Sequence, residues 1–348
     1  MVSTTRSKTT KRTLSMVESL DDALDSTVVK KSTKKTSVTK KSVKIETPSS
    51  SSSPKKSPRK AAAKKIDLED SLDHIIVPKD FSLPEDFVEY HEVEFLEGLR
   101  HLIKQDPSLY APIVHMNFPR FAKKDKVKRT DEETILYYWY ALISSVISQQ
   151  VSGAAARSIE NKFKGLFGDE QPTPSKTLSK TTEELRSAGL SSMKTKYVLH
   201  ISEVFSDPDS KLSNPRFYEE QPLDVIINEL VTLKGIGEWS AKMFAIFTLN
   251  EKDVFAYDDL GIARGMSKYL LRRPEVLQKL KDQVREDEII KALLKKKSKF
   301  DKKDSRRDWT PYHDEYVKLA AEAFSPHKTA LMLVLWRLGS TNIEVLEN

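Results

Sequence analysis

Between Ile135 and Ile147, apolar side chains fall at positions 135, 138, 139, 142, 143, 146 and 147. That spacing traces one face of a long α-helix, with Thr130 or Asp131 placed to cap its start. The same reading predicts a second helix over roughly 154–167, ending near Gly168, and a turn at Pro172 and Pro174. A further helix is predicted after Gly189, where Tyr197, Ile201 and Phe205 recur at every fourth position. Ser325-Pro326 reads as an N-cap followed by a first helical proline. The Ala330–Leu335 run behind it is apolar all round and is predicted to be buried. The pattern is helical from about Leu83 onward. No stretch alternates with the period of a strand and no repeat emerges, so the predicted class is all-α.

Composition divides the chain in two. Residues 1–66 are rich in Ser, Thr, Lys and Pro and nearly free of aromatics, and are predicted to be disordered, ahead of a helical domain over 67–348. The first 65 residues carry 17 Lys/Arg against 5 Asp/Glu, whereas the rest carries 41 against 46. The overall charge of +7 therefore belongs to the tail. The run Pro54-Lys55-Lys56-Ser57-Pro58-Arg59-Lys60, with Lys64-Lys65, is similar to a nuclear import signal. The first 16 residues, basic and poor in acid, also fit a mitochondrial presequence. With no cysteine there is no disulfide, zinc–thiolate site or iron–sulfur cluster. No apolar run approaches the ~20 residues of a membrane span.

The segment Leu233-Lys234-Gly235-Ile236-Gly237-Glu238-Trp239-Ser240-Ala241 lies between a helix ending near Val231 and one running through Met243, Phe244 and Phe247. It resembles the helix–hairpin–helix motif, L-x-G-[IV]-G-x-x-[ST]-A. Glycines at 235 and 237 let backbone approach a phosphate, and the amides of the next helix can donate to it. Such a grip over Lys234, Gly235, Ile236 and Gly237 needs no bulk positive charge. An ordinary helical hairpin with a C-cap glycine has the same outline. Further on comes Tyr257-Asp258-Asp259-Leu260-Gly261-Ile262. This stretch resembles the G/P-D signature of helix–hairpin–helix glycosylases, and that resemblance, aligned on the acid before Leu-Gly-Ile, makes Asp259 the candidate catalytic carboxylate, while Asp258 reads as a cap or an exposed group. A carboxylate near C1′ of a deoxynucleoside stabilises the positive charge that builds as the C1′–N bond breaks. Both acids could also be plain helix caps. The basic run over 291–307 (Lys295–Lys297, Lys302-Lys303, Arg306-Arg307) reads as an exposed insertion, touching phosphate or merely solvated.

These motifs, with Ser148-Gln149-Gln150-Val151-Ser152, Ser187-Ala188-Gly189-Leu190 and Leu335-Trp336-Arg337, are similar to fungal-type DNA-3-methyladenine glycosylases. Those belong to the helix–hairpin–helix (HhH-GPD) superfamily and are relatives of the bacterial 3-methyladenine glycosylase II. The resemblance covers roughly 83–348. It implies a two-lobed helical fold with the active-site cleft between the lobes, without the bacterial N-terminal β-domain. It implies a monomeric enzyme that flips alkylated purines from double-stranded DNA and hydrolyses the N-glycosidic bond. An endonuclease specific for abasic sites would act on the product. Bifunctional members place a lysine where this chain has Trp239, so strand cleavage is not expected. The base pocket is expected to involve Trp239, Met243, Trp336, Phe118 and His115. Gln149, Gln150 and Val151 fall where a wedge side chain enters the base stack. No cofactor is required, and the carbonyls of Val231, Leu233 and Ile236 are expected to hold K+ or Na+. Two other readings stay open: a helix–hairpin–helix module that only holds DNA, and a glycosylase for other damaged or mismatched bases.

Overall fold

The computed structural model describes residues 68–124, 127–300 and 307–339. The basic tail with its import-like run, the predicted boundary at 67, and Lys302, Lys303 and Arg306 lie outside the described residues. The long helices are α1 (Val93–Gln105), α2 (Asp131–Ser148), α3 (Gly153–Gly165), α4 (Ser192–Ser206) and α5 (Leu223–Val231). They continue with α6 (Glu238–Phe247), α7 (Leu260–Leu271), α8 (Pro274–Glu286), α9 (Asp314–Glu322) and α10 (Lys328–Gly339). Shorter helical turns connect them. The only extended pairing among the described residues is an isolated bridge between His91 and Ala122. The all-α expectation therefore holds.

Local chemistry explains the helix ends. Thr130, rather than Asp131, caps α2: its hydroxyl accepts from Glu133 N while the Glu133 carboxylate accepts from Thr130 N. This reciprocal pair satisfies two amides that the first turn leaves without partners. The C-terminal half of α2 is enclosed on every side, from Ala141 to Ser148. The predicted cap at Ser325 is not formed. Helix α10 starts at Lys328, after a cis Ser325–Pro326 peptide. Its first amide is capped from a distant segment, by Asp253 Oδ1 at 3.1 Å. The Ser325 hydroxyl donates to the other oxygen of Asp253 instead.

The helices fall into two groups. Helices α2, α3, α4, α5 and α6 pack on one another, and α1 joins α7, α8, α9 and α10. The tightest approach is between α7 and α10, backbone against backbone. A Cβ at Gly265 would overlap the Leu335 carbonyl, and one at Gly339 would come within 2.5 Å of the Gly261 carbonyl. Interiors packed this closely have no room for one more methyl. The two groups meet where α6 of the first faces the start of α7 and the body of α10. There Phe247 stacks on Trp336 at 6.4 Å, and Arg120 donates to the Phe247 carbonyl.

Candidate active site

The hairpin between α5 and α6 is built as its glycines require. Gly235 sits at φ +90, in the left-handed region, and any Cβ there would strike the Tyr197 ring. Both conditions select glycine. Ile236 is buried, and its amide closes the turn on the Leu233 carbonyl at 3.0 Å. Helix α6 then begins with Gly237, which supplies no side-chain cap. The amides of Gly235, Gly237 and Glu238 find no acceptor among the described residues, so the turn presents several donors at a helix N-terminus. That is an anion site by geometry and by dipole.

A second loop is tied to this turn. Gln149 ends α2, and its side-chain amide donates to the Gly235 carbonyl at 2.8 Å. Gln150 follows at φ +62, exposed, in a conformation that L side chains seldom adopt. Lys194, from the start of α4, donates to the Ile147 carbonyl at 2.6 Å. The expected wedge segment and hairpin are thus one connected unit.

Asp259 lies at the seam between the helix groups. It is the N-cap of α7, its Oδ1 accepting from Ile262 N at 3.0 Å. Trp336 of α10 donates its indole N–H to the same oxygen at 2.9 Å, and Trp239 of α6 donates to Oδ2 at 3.1 Å. Gly261 makes the first of these reachable, since a Cβ there would lie 2.7 Å from the Trp336 ring. The side chain is 3% exposed. Burial raises its pKa above the usual carboxylate range, against the opposing hydrogen bonds from Trp336, the Ile262 and Gly261 amides and Trp239. Both indoles are themselves partly exposed. The carboxylate is therefore closed beneath two aromatic edges. The cavity of about 60 Å³ beside α1 is lined by other residues, among them Phe95, Gly98 and Ala330.

Asp258 is not a cap. Its carboxylate pairs with Lys299 at 2.9 Å, which leaves capping to Asp259 alone. Two residues expected in the base pocket belong to the core. Met243 is 1% exposed and Phe118 is 6% exposed. Phe118 packs against Phe95 and His91, and its ring face carries the Arg337 guanidinium at 3.2 Å. Arg337 is buried and also donates to the carbonyls of Pro112, Ile113 and Asn117. Burial pushes its pKa down to about 9, so it remains charged at neutral pH. His115 stays half-buried in the loop so held, and burial together with Arg337 pulls its pKa down to about 4. It therefore presents a neutral ring at neutral pH. Arg337 and Gly261 were named from sequence only as motif members, without these roles, and the Gln149–Gly235 bond was missed. For Gly261 a signal was present, because Gly261 and Gly265 stand one helical turn apart.

A glycine hairpin at a helix N-terminus thus stands beside a buried aspartate, 20 residues past Trp239, that caps the next helix, the pairing that the comparisons place in a class of DNA-repair protein. Residues 143–288 match the family model for "HhH-GPD superfamily base excision DNA repair protein". Over 279 residues the chain is 34% identical to the DNA-3-methyladenine glycosylase of Saccharomyces cerevisiae, spanning 77% of this chain and 88% of that one. It is 35% identical over 142 residues to DNA-3-methyladenine glycosylase 1 of Schizosaccharomyces pombe, spanning 40% and 60%. A crystal structure of DNA-3-methyladenine glycosidase from Bacillus halodurans superposes with a TM-score of 0.47 and 23% identity, over 70% of this chain and 89% of that chain. The chain belongs to the HhH-GPD superfamily of base excision DNA repair proteins.

Proposed function

We propose that this protein is a monofunctional DNA glycosylase that removes alkylated purines from duplex DNA, with Asp259 as its catalytic residue. The observation that carries the reading is the buried carboxylate held by two indole N–H groups next to a phosphate-ready hairpin. The hairpin amides hold a backbone phosphate, and the Gln149–Val151 segment supports the stack from which the target nucleotide leaves. Extrusion makes the reacting sugar accessible, as for other enzymes that do chemistry on a base. The sugar displaces an indole from Asp259. As the C1′–N bond breaks, its electron pair leaves with the base, and positive charge spreads over the sugar ring. The carboxylate faces that charge in a buried site shielded from bulk solvent, which admits only the attacking water and where such stabilisation is strongest. Water then adds its oxygen to C1′ and gives up a proton, which Asp259 can accept.

A purine alkylated at N3 or N7 is already cationic and departs as a neutral molecule, so no acid is needed to protonate it. The freed indole face of Trp239 or Trp336 favours such a ring by cation–π attraction. An indole at position 239 cannot form a Schiff base, so the product is an intact strand with an abasic site, passed on to an endonuclease for such sites. The protein acts as a monomer. The carbonyls of Val231 and Ile236 accept no amide in the turn, and that of Leu233 accepts one. Their remaining lone pairs suit a monovalent cation such as K+ or Na+, bound by Val231, Leu233 and Ile236. The test is direct: purified protein is incubated with methylated DNA and the released bases are separated by chromatography. Release of 3-methyladenine and 7-methylguanine with uncut strands is expected. Binding with no base released would leave only a DNA-holding module, and release of other bases alone would redirect the specificity.

A further inference from the structure

We propose that Lys295, Lys296 and Lys297 form a second phosphate-binding ledge, which holds the DNA backbone beside the nucleotide whose sugar meets Asp259. The inference rests on the reading that the protein acts on duplex DNA. It starts from a charge problem: beyond the tail the chain carries more acid than base, 46 against 41. Bound DNA must therefore find its positive charge in particular places.

The segment after the Glu288–Leu294 turn is such a place, and it is fixed. The Ser298 hydroxyl donates to Asp314 Oδ1 at 2.7 Å, and Lys299 N donates to Asp314 Oδ2 at 3.2 Å. His313 adds a hydrogen bond to the Lys296 carbonyl at 2.9 Å. Since its other ring nitrogen accepts from Glu315 N, the Nε2 atom is the donor. Lys299 then reaches Asp258, the residue directly before the catalytic carboxylate, at 2.9 Å. Ser298 is buried beneath this anchorage.

The segment therefore ends at the catalytic turn. That turn gathers further cations: Lys318 and Lys242 lie 4.1 and 5.1 Å from the Tyr257 ring centre. Lys242, Lys299 and Lys318 are each neutralised by a carboxylate, from Glu238, Asp258 and Glu315. Lys295, Lys296 and Lys297 differ. All three are exposed and make no ion pair with any described residue. Three uncompensated cations on an anchored segment beside the reacting sugar match the sugar–phosphate backbone. The hairpin grips one point of that backbone with amides, and the ledge holds another with charge.

The experiment measures binding of the full chain to a duplex carrying an abasic-site analogue, by anisotropy, across a KCl series. It compares wild type, the triple variant K295Q/K296Q/K297Q, and a control triple K79Q/K104Q/K162Q at exposed lysines elsewhere on the chain. Each phosphate contact contributes about −0.9 to the slope of log K against log salt. The triple variant is expected to lose about 2 to 3 from that slope. Wild type's advantage over it should then shrink about 40-fold between 50 and 200 mM salt. The control triple should keep most of the wild-type slope. Equal slopes for the two triples, or no change in either, would overturn the ledge. Base release by wild type is read separately, so this result and the fate of the glycosylase reading are distinguishable.

Discussion

A carboxylate can stabilise a cation only if it is ionised, and burial works against that at Asp259. Its pKa is raised by loss of solvent, and the Trp336 and Trp239 indoles and the α7 amides oppose the rise. The acid limb of kcat/KM should therefore lie above the ordinary aspartate range, near 3.9. Removing a donor removes part of that opposition. Trp336→Phe should shift the limb to higher pH, and pH–rate profiles of the two proteins check this. The linked stability effect has a definite sign. A folded pKa above the unfolded one adds stability that is complete below the unfolded pKa and is lost as pH rises through the folded value. Ionising the buried carboxylate therefore comes at a cost to the fold. Position 259 was singled out from sequence because its signal is local, an acid just before Leu-Gly-Ile at a set distance from the hairpin, and there it stands as the buried cap of α7. The two indoles on it were named from sequence only as pocket residues. Their bonds to Asp259 span 20 and 77 residues, which no local pattern reports.

At the level of elements, placement depends on side chains reaching backbone far away in sequence. Gln149→Ala would free the Gly235 carbonyl and uncouple the wedge loop from the hairpin. The expected result is weaker extrusion with little change in fold, seen as reduced fluorescence of a 2-aminopurine placed beside the lesion. Unchanged fluorescence would mean that the bond carries no coupling. The α7–α10 contact gives a contrast between two glycines. Gly265→Ala drives a methyl into the Leu335 carbonyl, which cannot move without its helix. A loss of about 2–3 kcal/mol is expected in denaturant unfolding, at the upper end for overpacking. Gly261→Ala instead presses on the Trp336 ring, which can swing off Asp259. That variant should keep more of its stability and lose more of its rate. Helices α2 and α4 were predictable because their apolar spacing declares one buried face. The start of α10 was not, because its cap, Asp253, comes from another segment.

Across the whole molecule, two helix groups share one seam, and a few buried cations hold the elements around it. Arg337 fastens the loop of His115 to α10, with Phe118 beneath its guanidinium. Arg273 binds Asp106, Ser108, Glu69 and the Tyr269 carbonyl, tying the Leu68–Ser71 turn to the junction of α7 and α8. Arg273→Ala would strand the mostly buried Asp106 and leave Glu69 with Arg272 alone. It should destabilise the protein by about 3–5 kcal/mol, read from the unfolding midpoint. The fold class was legible in the helical period along the chain. The closed state of the seam was not, since it depends on where two partly exposed rings come to rest.

The account turns on Asp259 acting on the sugar rather than holding the helix, and one comparison separates these roles. Asp259→Asn keeps an oxygen for the Ile262 amide while removing the charge. Single-turnover release of 3-methyladenine from methylated DNA is measured beside affinity for an abasic-analogue duplex. The account predicts near-wild-type affinity with release abolished. Release at the wild-type rate by this variant would contradict it.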